Sequence, residues 1–330
     1  MNNPEYFKEL KPHNCRRAKF HDYKRPGRYM ISISKAPECP DFSRLLGRPD
    51  RTEDPARVQL SEFGVRIQTQ IAEVNALPQF DIDNSVIMPD HLHLLWRVKD
   101  WLPRDLGYYV GIFKTSCVNH IRKEIPGCAA LQVFTPKFND RIAFDDEMAR
   151  RFYHYIEDNP RRRLMVMRYP ELFSKACQVR ILDRIFDVYG NFQLLKHPLI
   201  SAAIVSSRYT PEERTRYRQQ WDETIRGCGV FISPFISEAE KRLRDEILES
   251  GGSIIRIIPE GIQPKYKPSG QEFDLCAQGR CLHIGAPRPS AHAEALSRRE
   301  CLELNEISRW IASHPAETFH LLNGKRQGGR

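Results

Sequence analysis

The chain has 330 residues, 41% of them hydrophobic and 28% charged, a composition that excludes a disordered or fibrous protein and leaves room for two separate cores. Of its net charge of +9, +7 falls in residues 1–180, a bias that suits a polyanionic partner. No apolar run approaches the roughly 20 residues of a membrane-spanning helix, and the N-terminal stretch is polar and basic, so a cytoplasmic chain without a membrane partner is expected.

The chain opens on a basic cluster, His13, Arg16, Arg17, Lys19, Lys24, Arg25 and Arg28, interleaved with Phe20, Tyr23 and Tyr29. Cations beside aromatic rings can hold a single strand by phosphate contact and base stacking, although a solvated basic arm has the same composition. Residues 28–35 alternate apolar and polar groups and read as a strand, and the Pro- and Asp-rich stretch 36–58 as a long connection. A helix is expected at about 60–77. Two short strands follow at 82–88 and 91–98, split by Met88-Pro89-Asp90, which has turn chemistry. A second helix is expected over 103–124, a strand near 130–143, and a third helix from 145 to 159, where Pro160 should end it. The first six elements, β-α-β-β-α-β, match the α+β split arrangement of ferredoxin-like folds, an antiparallel sheet with helices on one face.

The second half changes character. Continuous apolar strands at 202–206, 229–233, 253–258 and 281–285 alternate with helices at 211–226 and 237–250, and a last helix closes at 297–313. That pattern is α/β, a mainly parallel sheet covered on both faces, as in Rossmann-like folds. The expected division is a first domain over 1–180, a linker at 181–195 and a second domain over 196–330. The nine cysteines contain no C-x-x-C pair, and the closest two, Cys276 and Cys281, read as ordinary reduced thiols rather than a zinc site.

The chemistry concentrates at His91-Leu92-His93. Residues i and i+2 of a strand leave the same face, so the two imidazoles form half of a metal site or, equally, a solvated strand face. Tyr155 and Asn159 share a face of the third helix by their i, i+4 spacing. Asn159, at a helix end before Pro160, offers an amide oxygen as a third ligand. Tyr155 would point at whatever the metal holds, unless it is simply a half-buried helical aromatic. A phenol is a poor nucleophile at neutral pH unless cations stabilise the phenolate, and Mg²⁺ on these ligands would polarise a phosphodiester.

The run Ile-Met-Pro-Asp-His-Leu-His-Leu-Leu-Trp (87–96), followed by Phe-Tyr-His-Tyr-Ile-Glu-Asp-Asn-Pro-Arg-Arg-Arg (152–163), resembles the HUH single-tyrosine transposases of bacterial insertion sequences, and most of all their REP-associated branch. The opening segment to Ser34 and Thr135-Pro-Lys-Phe-Asn-Asp-Arg141 are similar to that branch too, so the resemblance spans about residues 14–175. It implies metal ligation by His91, His93 and Asn159 with Mg²⁺ or Mn²⁺, and nucleophilic attack by Tyr155 on single-stranded or hairpin DNA. A 5′-phosphotyrosine and a free 3′-OH would result. Arg16, Arg17, Lys24, Arg25, Lys114, Arg122, Lys123, Arg141, Arg161, Arg162 and Arg163 would hold the DNA. A homodimer is a family expectation. Glu157 and Asp158 place negative charge beside the nucleophile, so a domesticated hairpin-binding protein stays open as an alternative, as does a replication or relaxase nickase of plasmid type. The second half resembles the Rossmann-like fold of DNA-processing protein A and the wider SLOG superfamily, in the order Ser206-Ser207-Arg208, Gly229 to Lys241, and Gly251-Gly252 before a strand. A nucleotide would then lie beyond the strand ends, although most of the glycines that let a phosphate approach are missing there.

Overall fold

The computed structural model describes residues 18, 20–206, 208–263, 266–286 and 296–327; His13, Arg16, Arg17, Lys19 and Ser207 lie outside them. The chain divides into two compact units, Met1–Leu164 and Met165–Arg330. Among the described residues no helix is long and apolar enough to cross a membrane.

The first unit is built on a four-stranded antiparallel sheet of β1 (Gly27–Ser34), β4 (Phe80–Ile87), β5 (His91–Val98) and β6 (Asn139–Ala143) in the order β4-β5-β1-β6. The region expected as a plain connection carries a small separate ladder, β2 (Ser43–Leu46) against β3 (Arg57–Leu60). Two four-residue strands containing arginine leave no alternation long enough to register in the sequence. Helix α1 (Glu62–Asn75) is capped by Ser61 and α2 (Leu106–Glu124) by Asp105, each side chain accepting a first-turn N–H. Their apolar stripes, among them Ile67, Ile71, Val110, Phe113 and Cys117, bury one sheet face with Tyr29, Ile31, Leu92, Leu94 and Trp96.

The expectation of helices on one face needs correction. Helix α3 (Asp146–Arg168) packs Phe152 and Ile156 against Met30 and Leu95, the residues that alternate onto the opposite face. It also runs through Pro160 instead of ending there. Proline removes the hydrogen bond to the carbonyl one turn back, at a cost of about 3 kcal/mol. Phe152, Ile156, Pro160 and Leu164 are all buried at i+4 intervals, so the stripe continues through the proline, and each large apolar side chain buried contributes about 1.5–3 kcal/mol.

The second unit is a seven-stranded mixed sheet. Strands β9 (Ile200–Ala202), β10 (Val230–Ser233), β11 (Ser253–Ile258) and β12 (Cys281–Gly285) are parallel, the last three where their continuous apolar runs predict. β9 instead ends at Ala202 and does not fill 202–206, the Val205 N–H going to Glu240 and not to a neighbouring strand. Residues 181–195, expected as a linker, instead hold most of β8 (Arg184–Gly190), which pairs antiparallel with β12 and with β7 (Ser174–Ile181). Arg180, Asp183, Arg184 and Asp187 interrupt the apolar pattern over β7 and β8, so the local sequence carries no strand signal there. A two-residue β13 (Arg326–Gln327) extends the edge on β7. The sheet is covered by α4 (Pro211–Arg226), α5 (Glu238–Glu249), α6 (Gln271–Ala277), α7 (Arg298–Ser313) and α8 (Pro315–Gly324), with apolar cores on both of its faces.

Candidate functional site

The register of β1 against β5 sets Ser32 opposite His93 and Ser34 opposite His91, on the sheet face that α3 covers. Ser32 Oγ lies 2.7 Å from His93 Nδ1, and Asp90 Oδ1 lies 2.7 Å from His91 Nδ1. The hydrogen bond with His91, aided by the charge of Arg163 4.0 Å away, holds the Asp90 carboxyl down at about 2. With an ionised Asp90 accepting a proton from His91 Nδ1, Nε2 would be left free to bind a metal, the arrangement that orients metal-binding histidines.

The two Nε2 atoms stand 3.1 Å apart, with ring planes inclined at 71°. Two nitrogens bound at right angles to one ion at about 2.1 Å would lie about 3.0 Å apart, so this donor pair fits a single divalent cation. The Tyr155 ring centroid is 5.5 Å from that of His93, and two turns along α3 Arg163 approaches Asp90 at 4.0 Å. Asn159 lies midway, at i+4 from both, and is only 8% exposed, so it is a buried mid-helix amide and not the frayed terminus that its proline neighbour suggests. His91, His93 and Tyr155 therefore converge, with Asn159 on the helix stripe between two contacts to the same strand end.

Of the two acidic residues next to Tyr155 in sequence, only Asp158 has a permanent cation as partner among the described residues. Asp158 pairs with the Arg161 guanidinium, and Glu157 lies 3.3 Å from His154. The Arg162 guanidinium sits 5.9 Å from the centre of the Tyr155 ring, which puts a cation against the phenol. Arg141, on β6 opposite Met30, stacks over Phe152 at 4.8 Å and so shares the face of the histidines.

Other expected DNA contacts are distributed differently. Lys114 Nζ donates to the carbonyls of Thr135 and Pro136, and Arg122 to that of Leu131, so both brace the loop before β6. Lys24, Arg25 and Lys123 are exposed. Tyr23 and Tyr29 are core residues rather than stacking platforms, Tyr23 donating to Asp140 and Tyr29 to the carbonyl of Arg25; Phe20 is exposed. Ser32 and Asp90 escaped the sequence reading, although a carboxylate adjoining His91 and a small hydroxyl on the neighbouring strand are the signals that could have found them.

In the second unit, where missing glycines already make a nucleotide pocket doubtful, backbone donors near the strand ends are taken by a side chain of the protein itself. The Glu240 carboxylate, 4% exposed, accepts from the backbone N–H groups of Val205, Ile236 and Ser237. Those donors at the start of α5 are the kind a bound phosphate would use.

No family model and no curated protein matches the chain. Among solved structures, a REP-associated tyrosine transposase bound to a REP hairpin is 15% identical, covering 44% of this chain and 73% of its own, with a TM-score of 0.32. A crystal structure of a candidate transposase from Deinococcus radiodurans R1 is 12% identical, covering 43% and 97%, with a TM-score of 0.26. Likenesses at this level assign the chain to no family, and its function is read from its own residues.

Proposed function

We propose that the first unit is a metal-dependent nuclease and strand transferase of single-stranded DNA, a transposase of the HUH single-tyrosine type. The observation that carries this reading is the 3.1 Å approach of His91 and His93 Nε2 with the Tyr155 ring beside His93. The strand order β4-β5-β1-β6 agrees with the ferredoxin-like plan that such enzymes use, and the seven-stranded sheet with a Rossmann-like appended unit.

His91, His93 and Asn159 would hold Mg²⁺ or Mn²⁺, which when bound polarises the scissile phosphate. Asp90 and Ser32 fix the two rings through Nδ1, so that Nε2 of each faces one point. Tyr155 Oη attacks the phosphorus, forming an O–P bond as the P–O3′ bond breaks. The phenolic proton passes to solvent water, and the departing 3′ oxygen takes a proton from solvent to become a free 3′-OH, so the exchange is proton-neutral overall. Attack by a 3′-OH on the phosphotyrosine reverses the step, so rejoining needs no external energy source. Arg162 lowers the cost of phenolate charge, while Arg141 and Arg163 lie on the same face to meet backbone phosphates. Lys24, Arg25 and Lys123 extend the basic surface, and a homodimer would bring two such sites to one DNA.

Incubation of the full chain with hairpin-bearing single-stranded DNA and Mg²⁺ or Mn²⁺ should give a covalent adduct on a denaturing gel, absent from Tyr155→Phe. No adduct from the wild type, or an equal one from the variant, overturns the reading. Hairpin binding that survives without cleavage would mark a DNA-binding protein instead.

A further inference from the structure

Cys281 and His283 are i and i+2 on β12 and share the sheet face covered by α6, whose Cys276 comes down onto them. All three are 0% exposed, and their ligand atoms lie within 4.8 Å of one another, with Cys281 Sγ 3.0 Å from His283 Nε2. We propose that Cys276, Cys281 and His283 bind a zinc ion inside the second unit, a site separate from the histidine pair of the first and independent of the function proposed above.

Three features carry this beyond the ordinary burial of cysteine as a small hydrophobe. The first is spacing: ligand atoms around tetrahedral zinc lie about 3.5–3.8 Å apart, so side-chain adjustments of under about 1 Å complete the geometry. The second is the polar chain that ends on the cluster. Tyr266 Oη lies 2.9 Å from His283 Nδ1 and 3.5 Å from Glu272, which pairs with Arg256. With Tyr266 donating to Glu272, Nδ1 of His283 would donate to Tyr266, and the Nε2 lone pair would face Cys281 Sγ, the orientation that metal-ligating histidines require. The third is charge: two thiolates, a neutral imidazole and Zn²⁺ sum to zero, which suits a site shut off from water. Sulfur and imidazole donors select zinc over magnesium. His283, which the cysteine spacing alone does not reveal, converts a pair that reads as reduced thiols into a ligand set.

The test is metal analysis of the full chain purified with zinc and without chelator. The wild type should hold about one zinc per chain, and the His91→Ala, His93→Ala double variant and Cys228→Ser, at an exposed cysteine, should keep it. Cys276→Ser and Cys281→Ser should each lose it, and Tyr266→Phe should bind roughly 10-fold more weakly. If the cysteine variants do not fold, thiol titration of the folded wild type decides: two thiols should be protected with zinc and react after chelation. Zinc retained by both serine variants, zinc lost in the double histidine variant, a wild type that takes up none, or thiols indifferent to chelator overturns the proposal.

Discussion

Strands β5 and β12 use one device, two ligand-type side chains at i and i+2, in opposite surroundings. On β5, His91 stays partly exposed, His93 is buried, and the atoms that orient them are oxygens from Asp90 and Ser32. On β12, Cys281 and His283 are sealed under α6, and the added donor is a sulfur. In the proposed ligand sets, the amide oxygen of Asn159 and open positions beside two imidazoles would let a divalent cation also meet a phosphate, whereas two sulfurs and an imidazole in a sealed site would select a softer cation that holds the fold together. Periodicity places a pair of ligands on one face; the elements packed against that face decide what they can do.

The comparison breaks first at the nucleophile. Tyr155→Phe should reduce strand joining by about 10⁴-fold or to background while hairpin affinity stays unchanged, measured by single-turnover cleavage and by titration of labelled DNA. Matched histidine variants come next. His93→Ala should lower cleavage by roughly 10²-fold with an unaltered melting transition. His283→Ala should leave cleavage intact and destabilise the second unit by about 2–4 kcal/mol in denaturant unfolding. If the two variants behave alike, the two strands do not differ in role.

Asp90→Asn removes the carboxylate that orients His91 and should weaken metal binding by about 10- to 100-fold, seen as a rightward shift in the Mn²⁺ dependence of cleavage. The smallest effect is expected at Lys114→Ala, which should cost about 1–2 kcal/mol of stability through its lost carbonyl partners, with the salt dependence of DNA binding unchanged. A fall of about one in that salt slope would instead put Lys114 on a phosphate.

Much of this was legible in the chain. Long amphipathic stretches such as 62–75 and 106–124, and the apolar runs of β10, β11 and β12, carry their own signals in periodicity and length. Short strands with interior charge, β2, β3, β7 and β8, do not, because tertiary pairing rather than local pattern makes them strands. Pro160 misled for a related reason: its local rule is to break a helix, and the buried stripe from Phe152 to Leu164 overrides it. At the site, spacing puts His91 with His93 and Tyr155 with Asn159 on shared faces, and the family resemblance supplies the roles expected of them. Ser32 required the β1–β5 register, and His283 required α6 to fold over β12 before its partners were apparent.

The most direct measurement is to map the point of attachment. After reaction of the full chain with hairpin-bearing single-stranded DNA and Mn²⁺, tryptic digestion and mass spectrometry should find the nucleotide on the peptide spanning 152–161, at Tyr155, as a 5′-phosphotyrosine. Attachment at Tyr153 or elsewhere, or DNA cleaved with no covalent intermediate, would contradict the account.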